Sequence, residues 1–139
     1  MEIVRDIDLV MDGTDNLKTR FLINKACVQN KIPWIYASVA GSYGMIFNII
    51  PGKTPCLRCI FDDADLDKLA ETSSNVGILN TAVSVIASIQ STEAIKLLTG
   101  NNEYLLKGLA VIDIWDFSAE IIEIKREAGC NCPVCGNKL

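Results

Sequence analysis

Blocks of apolar and polar residues alternate along the first third of the chain, and each block has the length of one secondary-structure element. Ile7–Met11 is a short apolar run that ends in turn-forming and helix-capping residues at 12–16. A helical pattern covers Leu17–Gln29, and Pro33 then precedes a second apolar run, Trp34–Ala37. This order predicts a βαβ unit, in which two parallel strands flank a crossover helix.

The apolar pattern in the remainder of the chain predicts one more long helix and three more strands. Tyr43–Ile50 is the third strand, and Thr81–Leu98 has the apolar spacing of a helix that Gly100 is placed to cap. Leu109–Trp115 and Ala119–Lys125 are two further strands, close enough in sequence for a hairpin. The apolar strands favour a sheet covered on both faces. The pattern therefore predicts an α/β fold with a mixed parallel and antiparallel sheet and flanking helices.

Two segments carry unusual polar residues. Acidic residues crowd the segment 61–75, which predicts a solvated, mobile crossover loop without the spacing of a calcium loop. In the long helix, a stripe of small residues at helical spacing permits close approach of a neighbouring backbone. The stripe consists of Thr81, Ser84, Ser88 and Ser91.

Length and composition indicate a single folded domain spanning 1–139. Half of the residues are hydrophobic and 22% are charged, which is typical of ordered globular proteins. The net charge of −4 provides no basic surface for nucleic acid. The longest apolar segment, Val76–Leu98, is interrupted by polar residues, and the charged N-terminus differs from a signal peptide, so we expect a cytoplasmic protein without a membrane partner.

The chain contains no histidine, which excludes Ser-His and Cys-His nucleophiles and mixed Cys/His metal sites. Its cysteines instead form two C-x-x-C pairs, Cys56 with Cys59 and Cys132 with Cys135. Two such pairs make a closed tetrahedral zinc site. The pairs are 72 residues apart, whereas a local zinc ribbon has about 15–20. The site therefore predicts a structural zinc ion that ties the chain end to the middle of the fold.

Other roles for cysteine remain open. Either pair alone would suit redox chemistry, and packed cysteines without a metal are the structural alternative, but two pairs together favour zinc. Cys130 lies close enough in sequence to replace one ligand, while Cys27 sits on the first helix and is expected in the core.

The carboxylates after the first strand are the candidate nucleotide site. Asp12 and Asp15 flank Gly13-Thr14 at the carboxyl end of a predicted parallel strand, where ligands of α/β sheets bind. One or both would hold Mg²⁺ on a nucleotide, although Asp or Asn at a helix start usually acts as a cap, and both roles are compatible. Neither a G-x-G-x-x-G nor a Walker sequence occurs, so the chain has no evident cradle for a triphosphate.

Several motifs in the same order and spacing resemble the C-terminal half of the E1-like ThiF/MoeB/HesA enzymes. The resemblance runs nearly end to end and is carried by Asp12-Gly13-Thr14-Asp15-Asn16 with Arg20, Cys56 and Cys59, Val76-Gly77-Ile78, Glu93 to Leu98 with Gly100, Asp113, and Cys132 to Gly136. These enzymes adenylate the C-terminus of ubiquitin-like sulfur carriers that end in Gly-Gly.

The resemblance implies a Rossmann-like fold and specific roles. It implies that Asp15 is the catalytic residue and binds Mg·ATP, with Asp12 and Asn16 beside it, and that the four paired cysteines hold structural zinc. It also implies a homodimer and attack of the carrier's terminal carboxylate on the α-phosphate of ATP. Positioning and charge neutralisation supply most of such catalysis, so the lack of histidine is no obstacle.

Two departures from the family limit this transfer. The family's glycine-rich nucleotide loop and its phosphate-binding Arg and Lys precede everything present here, so we expect no ATP turnover by this chain alone. Many members also carry a reactive cysteine near the position that aligns with Ser73, but no cysteine lies between Cys59 and Cys130. We therefore expect no covalent carrier intermediate at that position.

Two other functions compete with the enzyme hypothesis. A non-catalytic module, stapled by zinc, would bind a ubiquitin-like tail or dimerise without touching nucleotide. Half of a dinucleotide dehydrogenase is disfavoured, because the glycine fingerprint is absent and four paired cysteines would be unexplained.

Overall fold

The described part of the chain forms one five-stranded sheet with helices packed on it. The computed structural model describes residues 6–61, 77–125 and 131–136. In chain order the elements are β1 (Val10–Met11), α1 (Leu17–Gln29), β2 (Trp34–Ala40), β3 (Tyr43–Ile49), α2 (Leu57–Ile60), α3 (Asn80–Leu98), a 3₁₀ turn (Asn102–Tyr104), β4 (Leu109–Asp113) and β5 (Ser118–Ile122). The predicted α/β class with a mixed sheet is confirmed.

The strands follow one another across the sheet in chain order. β1 and β2 are parallel, with Val10 opposite Trp34, and the other neighbouring strands are antiparallel. The predicted βαβ unit is therefore confirmed, and β4 and β5 form the predicted hairpin. The first strand is shorter than predicted, because Ile7 is 38% exposed and only Val10 and Met11 pair with β2.

Local capping explains where α1 and α3 begin and end. The Asn16 side chain accepts a hydrogen bond from the Thr19 backbone N–H at 2.8 Å, which fixes the start of α1 at the predicted residue. At the end of α3, Gly100 has φ +78° and donates to Leu97, while Asn101 donates to Lys96. This pair of bonds is a Schellman motif, and it confirms the predicted glycine cap.

Both faces of the sheet are covered at β2 and β3, as predicted for its apolar strands, whereas β5 is exposed. Alternate residues of β2 point to opposite faces, so Trp34 and Tyr36 join one core while Ile35 and Ala37 join the other. The first core also contains Cys27 of α1 and the paired cysteines, and the second is closed by α3. Cys27 is thus a core residue, as expected.

The close approach between α3 and the sheet occurs at a glycine of β3. A Cβ atom on Gly44 would lie 2.4 Å from Ile86 Cγ1 and 2.9 Å from the Ser38 carbonyl oxygen. The stripe of small residues, 81, 84, 88 and 91, is exposed and does not face the sheet, and its serines hydrogen-bond to carbonyls of their own helix. The close backbone approach that this stripe permits is therefore not made to the sheet in the described part of the chain.

Gly44→Ala is expected to destabilise the fold. Ile86 and the Ser38 backbone would both have to move, and such overpacking costs about 1–3 kcal/mol. Urea denaturation of the variant would measure this loss. Gly77→Ala is the matched control, since no atom of the described residues lies within 4 Å of a Cβ built there. Equal stability of the two variants would contradict the assigned packing.

Two polar side chains of α3 are buried and anchor the helix. Gln90 donates from Nε2 to the carbonyl oxygens of Asp12 and Ile35, both at 3.0 Å. Glu93 accepts hydrogen bonds from Asn48 at 2.6 Å and from Lys96 at 2.5 Å. Because buried polar groups are costly unless paired, these bonds fix the position of α3 on the sheet.

Two further predictions concern the acidic loop and the absence of a membrane-spanning helix. The predicted acidic loop, 61–75, lies outside the described residues except for Phe61. Among the helices in the described part of the chain, none combines the length and apolar character needed to cross a membrane.

Candidate functional site

The first cysteine pair lies at a short helical turn that follows β3. Cys56 precedes α2, and the Cys59 backbone N–H donates to the Cys56 carbonyl at 2.9 Å. This turn brings both side chains to one side, which is what the C-x-x-C spacing requires. The sequence did not predict α2, since four residues are too few to produce a periodic pattern.

The second pair forms a similar turn near the chain end. The Gly136 backbone N–H donates to the Cys132 carbonyl at 2.8 Å, which closes the turn around Cys135. Both cysteines are buried against the same core as Cys56. The fold therefore brings together two turns that are far apart in sequence.

The four sulfur atoms form one cluster. The Sγ atom of Cys56 lies 3.9 Å from that of Cys59 and 3.6 Å from that of Cys132, and the Cys59 and Cys135 sulfurs are 3.3 Å apart. All four lie within 4.8 Å of one another. Four sulfurs at about 2.3 Å from zinc are separated by about 3.8 Å, so the cluster fits a tetrahedral thiolate site.

Burial and local hydrogen bonds act in opposite directions on the acidity of these thiols. Burial raises the pKa of Cys56 to about 12, against the lowering effect of the Asn24 side chain, and burial also raises that of Cys59. For Cys132, burial acts upward, but backbone N–H groups of its own turn, led by Cys135, lower the pKa to about 7. A bound metal ion would favour the thiolate forms of these side chains. Cys130, the alternative ligand, lies outside the described residues.

The loop after β1 is organised by Asp12. Its Oδ1 accepts from the Thr14 backbone N–H at 2.9 Å and from the Thr14 hydroxyl at 2.7 Å. Its Oδ2 accepts from Arg20 Nε at 2.8 Å, and the Asp12 side chain is fully buried. Both oxygens of Asp12 thus have partners within the protein.

Arg20 extends this network to β2. One of its terminal nitrogens donates to the Thr14 carbonyl at 2.5 Å and to the Ala37 carbonyl at 3.1 Å. Its guanidinium also lies 5.5 Å from the centre of the Tyr36 ring. Arg20 therefore connects the loop, α1 and β2 through one largely buried side chain.

Removing Arg20 is expected to destabilise the chain strongly. Arg20→Ala leaves the Asp12 carboxylate buried without its cation, a loss of about 3–5 kcal/mol in comparable buried pairs. Lys18→Ala, an exposed change on the same helix, is the control and should alter stability by less than about 0.5 kcal/mol. Chemical denaturation measures both. Similar midpoints for the two variants would contradict the assigned role of the ion pair.

Asp15 and Asn16 lie at the exposed end of this loop. Asn16 caps α1 with its Oδ1 and donates from Nδ2 to Asp15 Oδ1 at 3.0 Å. This hydrogen bond, with a smaller contribution from the charge of Arg20, holds the pKa of Asp15 below its ordinary value. Asp15 is thus an exposed, ionised carboxylate at the carboxyl end of a parallel strand, where it is accessible to a cation.

Asp113, which the sequence motifs also include, ends β4. Its Oδ1 accepts from the Trp115 backbone N–H at 2.9 Å, and this bond, together with Ser42, lowers its pKa. The Asp113 side chain therefore stabilises the turn between β4 and β5.

One buried residue beside the cysteines was missed by the sequence analysis. Asn24, in the middle of α1, accepts a hydrogen bond from the Leu57 backbone N–H at 3.0 Å. Its signal in the sequence is weak: asparagine is uncommon in a helix interior, where it competes with the backbone for hydrogen bonds.

The sequence of this chain was compared with protein families and with known proteins, and the matches agree with one another. The sequence model of the ThiF family matches residues 1–134. The chain is 36% identical over 138 residues to the sulfur carrier protein ThiS adenylyltransferase of Bacillus subtilis, covering 99% of this chain and 40% of that protein. It is 35% identical to protein HesA of Nostoc (97% and 51%) and 32% identical to the SAMP-activating enzyme E1 of Haloferax volcanii (97% and 49%).

Solved structures support the fold. Escherichia coli MccB superposes with a TM-score of 0.75 at 22% identity, over 98% of this chain and 41% of MccB. The structure of MccB with ATP gives a TM-score of 0.74 at 21% identity, over 96% of this chain and 40% of that one. The chain thus spans about half or less of the length of these relatives.

Proposed function

This chain belongs to the ThiF family, and we propose that it forms part of an ATP-dependent adenylyltransferase that activates the C-terminus of a ubiquitin-like sulfur-carrier protein. Relatives named as adenylyltransferases or activating enzymes, for ThiS and SAMP among others, support this activity. Because the chain covers only part of those relatives, the reaction is proposed for the complete protein, and we expect the isolated chain not to turn over ATP.

The observation that carries the proposal is the exposed, ionised Asp15 carboxylate on a rigidly held loop. Asp12 and Arg20 fix the loop from within, and Asn16 both caps α1 and orients Asp15. Asp15 would hold Mg²⁺ on ATP, with Asn16 and Asp12 positioning it. The cation, when bound, would neutralise negative charge on the phosphates.

The proposed reaction joins the carrier to AMP. A carboxylate oxygen at the carrier's C-terminal Gly-Gly forms a bond to the α-phosphorus of ATP, and the bond to the bridging oxygen breaks to release pyrophosphate. The product is an acyl-adenylate. This chain would contribute by holding the loop and Asp15 in place, so that phosphate and carboxylate meet in the correct geometry.

Activation would stop at the adenylate on this part of the chain. No cysteine lies between Cys59 and Cys130, so no thiol is present near the position of Ser73 to form a thioester with the carrier. Mass spectrometry of the complete protein with ATP and carrier should find no conjugate there; a carrier–protein thioester in that segment would contradict the proposal.

The four-cysteine cluster would hold one structural zinc ion. The separations between its sulfur atoms support this, and the ion would connect α2 to the end of the chain. A cytoplasmic location would keep these thiols reduced.

We also propose that the protein is a homodimer. Apolar side chains are exposed on α3, including Val83, Ile95 and Leu98, and they suit an interface with a second copy of the chain.

Exchange of labelled pyrophosphate into ATP tests the proposed activity. The complete protein should catalyse exchange only with a ubiquitin-like carrier that ends in Gly-Gly, and a carrier lacking the two glycines is the control. Carrier binding without exchange would favour the alternative, a non-catalytic interaction module. Exchange that ignores the carrier would contradict its role as the acyl donor.

A further inference from the structure

Asn24 lies between α1 and the first cysteine turn. The residue is 0% exposed, and its Oδ1 accepts the Leu57 backbone N–H at 3.0 Å. Leu57 begins α2 directly after Cys56. The side chain of Asn24 therefore fixes the backbone of the turn that carries two of the four cluster sulfurs.

The other end of the Asn24 side chain lacks a hydrogen-bond partner among the described residues. Its Nδ2 is buried and unpaired there, and the Asn24 side chain lies beside the Cys56 thiol, where it acts to lower the pKa of that thiol. A buried N–H without an acceptor is costly, and few native groups are left in this state. The adjacent acceptor is the Cys56 sulfur, which becomes a strong acceptor once it is a metal-bound thiolate.

An asparagine in the interior of α1 lowers the stability of the helix and buries a polar side chain, and packing alone does not compensate for this loss. Asparagine is a poor residue for a helix interior, and an apolar side chain of similar volume would fill the same space without a polar atom to satisfy. Cys27 and Val28 of the same helix face are apolar members of this core. A polar residue at this position is therefore explained only if both of its polar atoms, Oδ1 and Nδ2, have partners.

We propose that Asn24 is a positioning residue of the metal centre. Its Oδ1 holds the Leu57 N–H, and its Nδ2 donates to the Cys56 thiolate when the metal is bound. The inference rests on the proposed tetrathiolate site and adds a residue outside the four ligands. Hydrogen-bond donors next to ligands orient them and commonly change metal affinity by about 10–100-fold.

Two substitutions separate the two bonds of Asn24. Asn24→Asp keeps an oxygen for Leu57 but removes the N–H donor, and Asn24→Leu removes both without adding charge. Asn30→Asp is the matched control, because Asn30 lies just beyond the same helix and its amide bonds to Ala26. Zinc affinity is measured by chelator competition, and the full chain is also loaded with cobalt(II) for absorption spectroscopy.

Both Asn24 variants should bind zinc about 10–100-fold more weakly, and their thiolate-to-cobalt charge-transfer bands should shift, while Asn30→Asp matches the wild type. Loss of stability alone would not shift these bands. If Asn24→Leu fails to fold, the aspartate variant decides the matter. Unchanged affinity and bands in the folded variants would overturn the role of Asn24 only, whereas a wild-type chain without a cobalt–thiolate band would overturn the metal centre itself.

Discussion

Replacing Cys56 and Cys135 together by serine is expected to abolish zinc binding and to unfold most of the chain. Each substitution removes one ligand from a different turn of the cluster. In small zinc domains the binding free energy, about 10–16 kcal/mol, is also folding free energy, and it is comparable to the whole stability of a typical domain, about 5–15 kcal/mol. Zinc content by elemental analysis and thermal unfolding by circular dichroism measure the two effects.

Cys27→Ala is the matched control for the cysteine variant. Cys27 is as buried as Cys56 but is not a member of the sulfur cluster. The control should keep one zinc ion per chain, with at most a small loss of stability from the removed sulfur. A double serine variant that melts like the control would contradict the structural role of the cluster.

Asp15→Asn is expected to lower pyrophosphate exchange by the complete protein by about 10²–10³-fold, the effect of removing one electrostatic contact to a transition state. The substitution keeps the shape of the side chain and removes only its charge. Because Asp15 is exposed, zinc content and unfolding should not change. Exchange rates at saturating carrier, with magnesium varied, measure the loss.

Asp8→Asn is the control for Asp15. Asp8 is also an exposed aspartate, but it precedes β1, at the opposite end of the strand from the candidate loop. Its exchange rate should equal that of the wild type. If Asp15→Asn also retains full exchange, Asp15 does not bind the cation of the nucleotide.

Elements set by local signals were predictable from the sequence. Asn16 at the cap and the turn before Pro33 determine α1, and Gly100 determines the end of α3. The C-x-x-C spacing predicted which cysteines meet, because each pair needs only one turn of backbone to face a common ion. These features depend on residues that are neighbours in sequence.

Features that depend on distant partners were not predictable. Gln90 and Glu93 are buried polar residues of α3 whose partners include Asp12 and Asn48, far away in the chain. The close packing of Ile86 of α3 against Gly44 of β3 was not predictable for the same reason, since the two residues are far apart in the chain. Asn24 acquires a role only when α1 packs against the turn at Cys56.

X-ray absorption at the zinc edge of the purified chain tests the central claim most directly. A single metal centre built from both cysteine pairs predicts one zinc ion per chain with four sulfur neighbours at about 2.3 Å. A chain that binds no zinc, or a first shell that contains nitrogen or oxygen in place of sulfur, would contradict it.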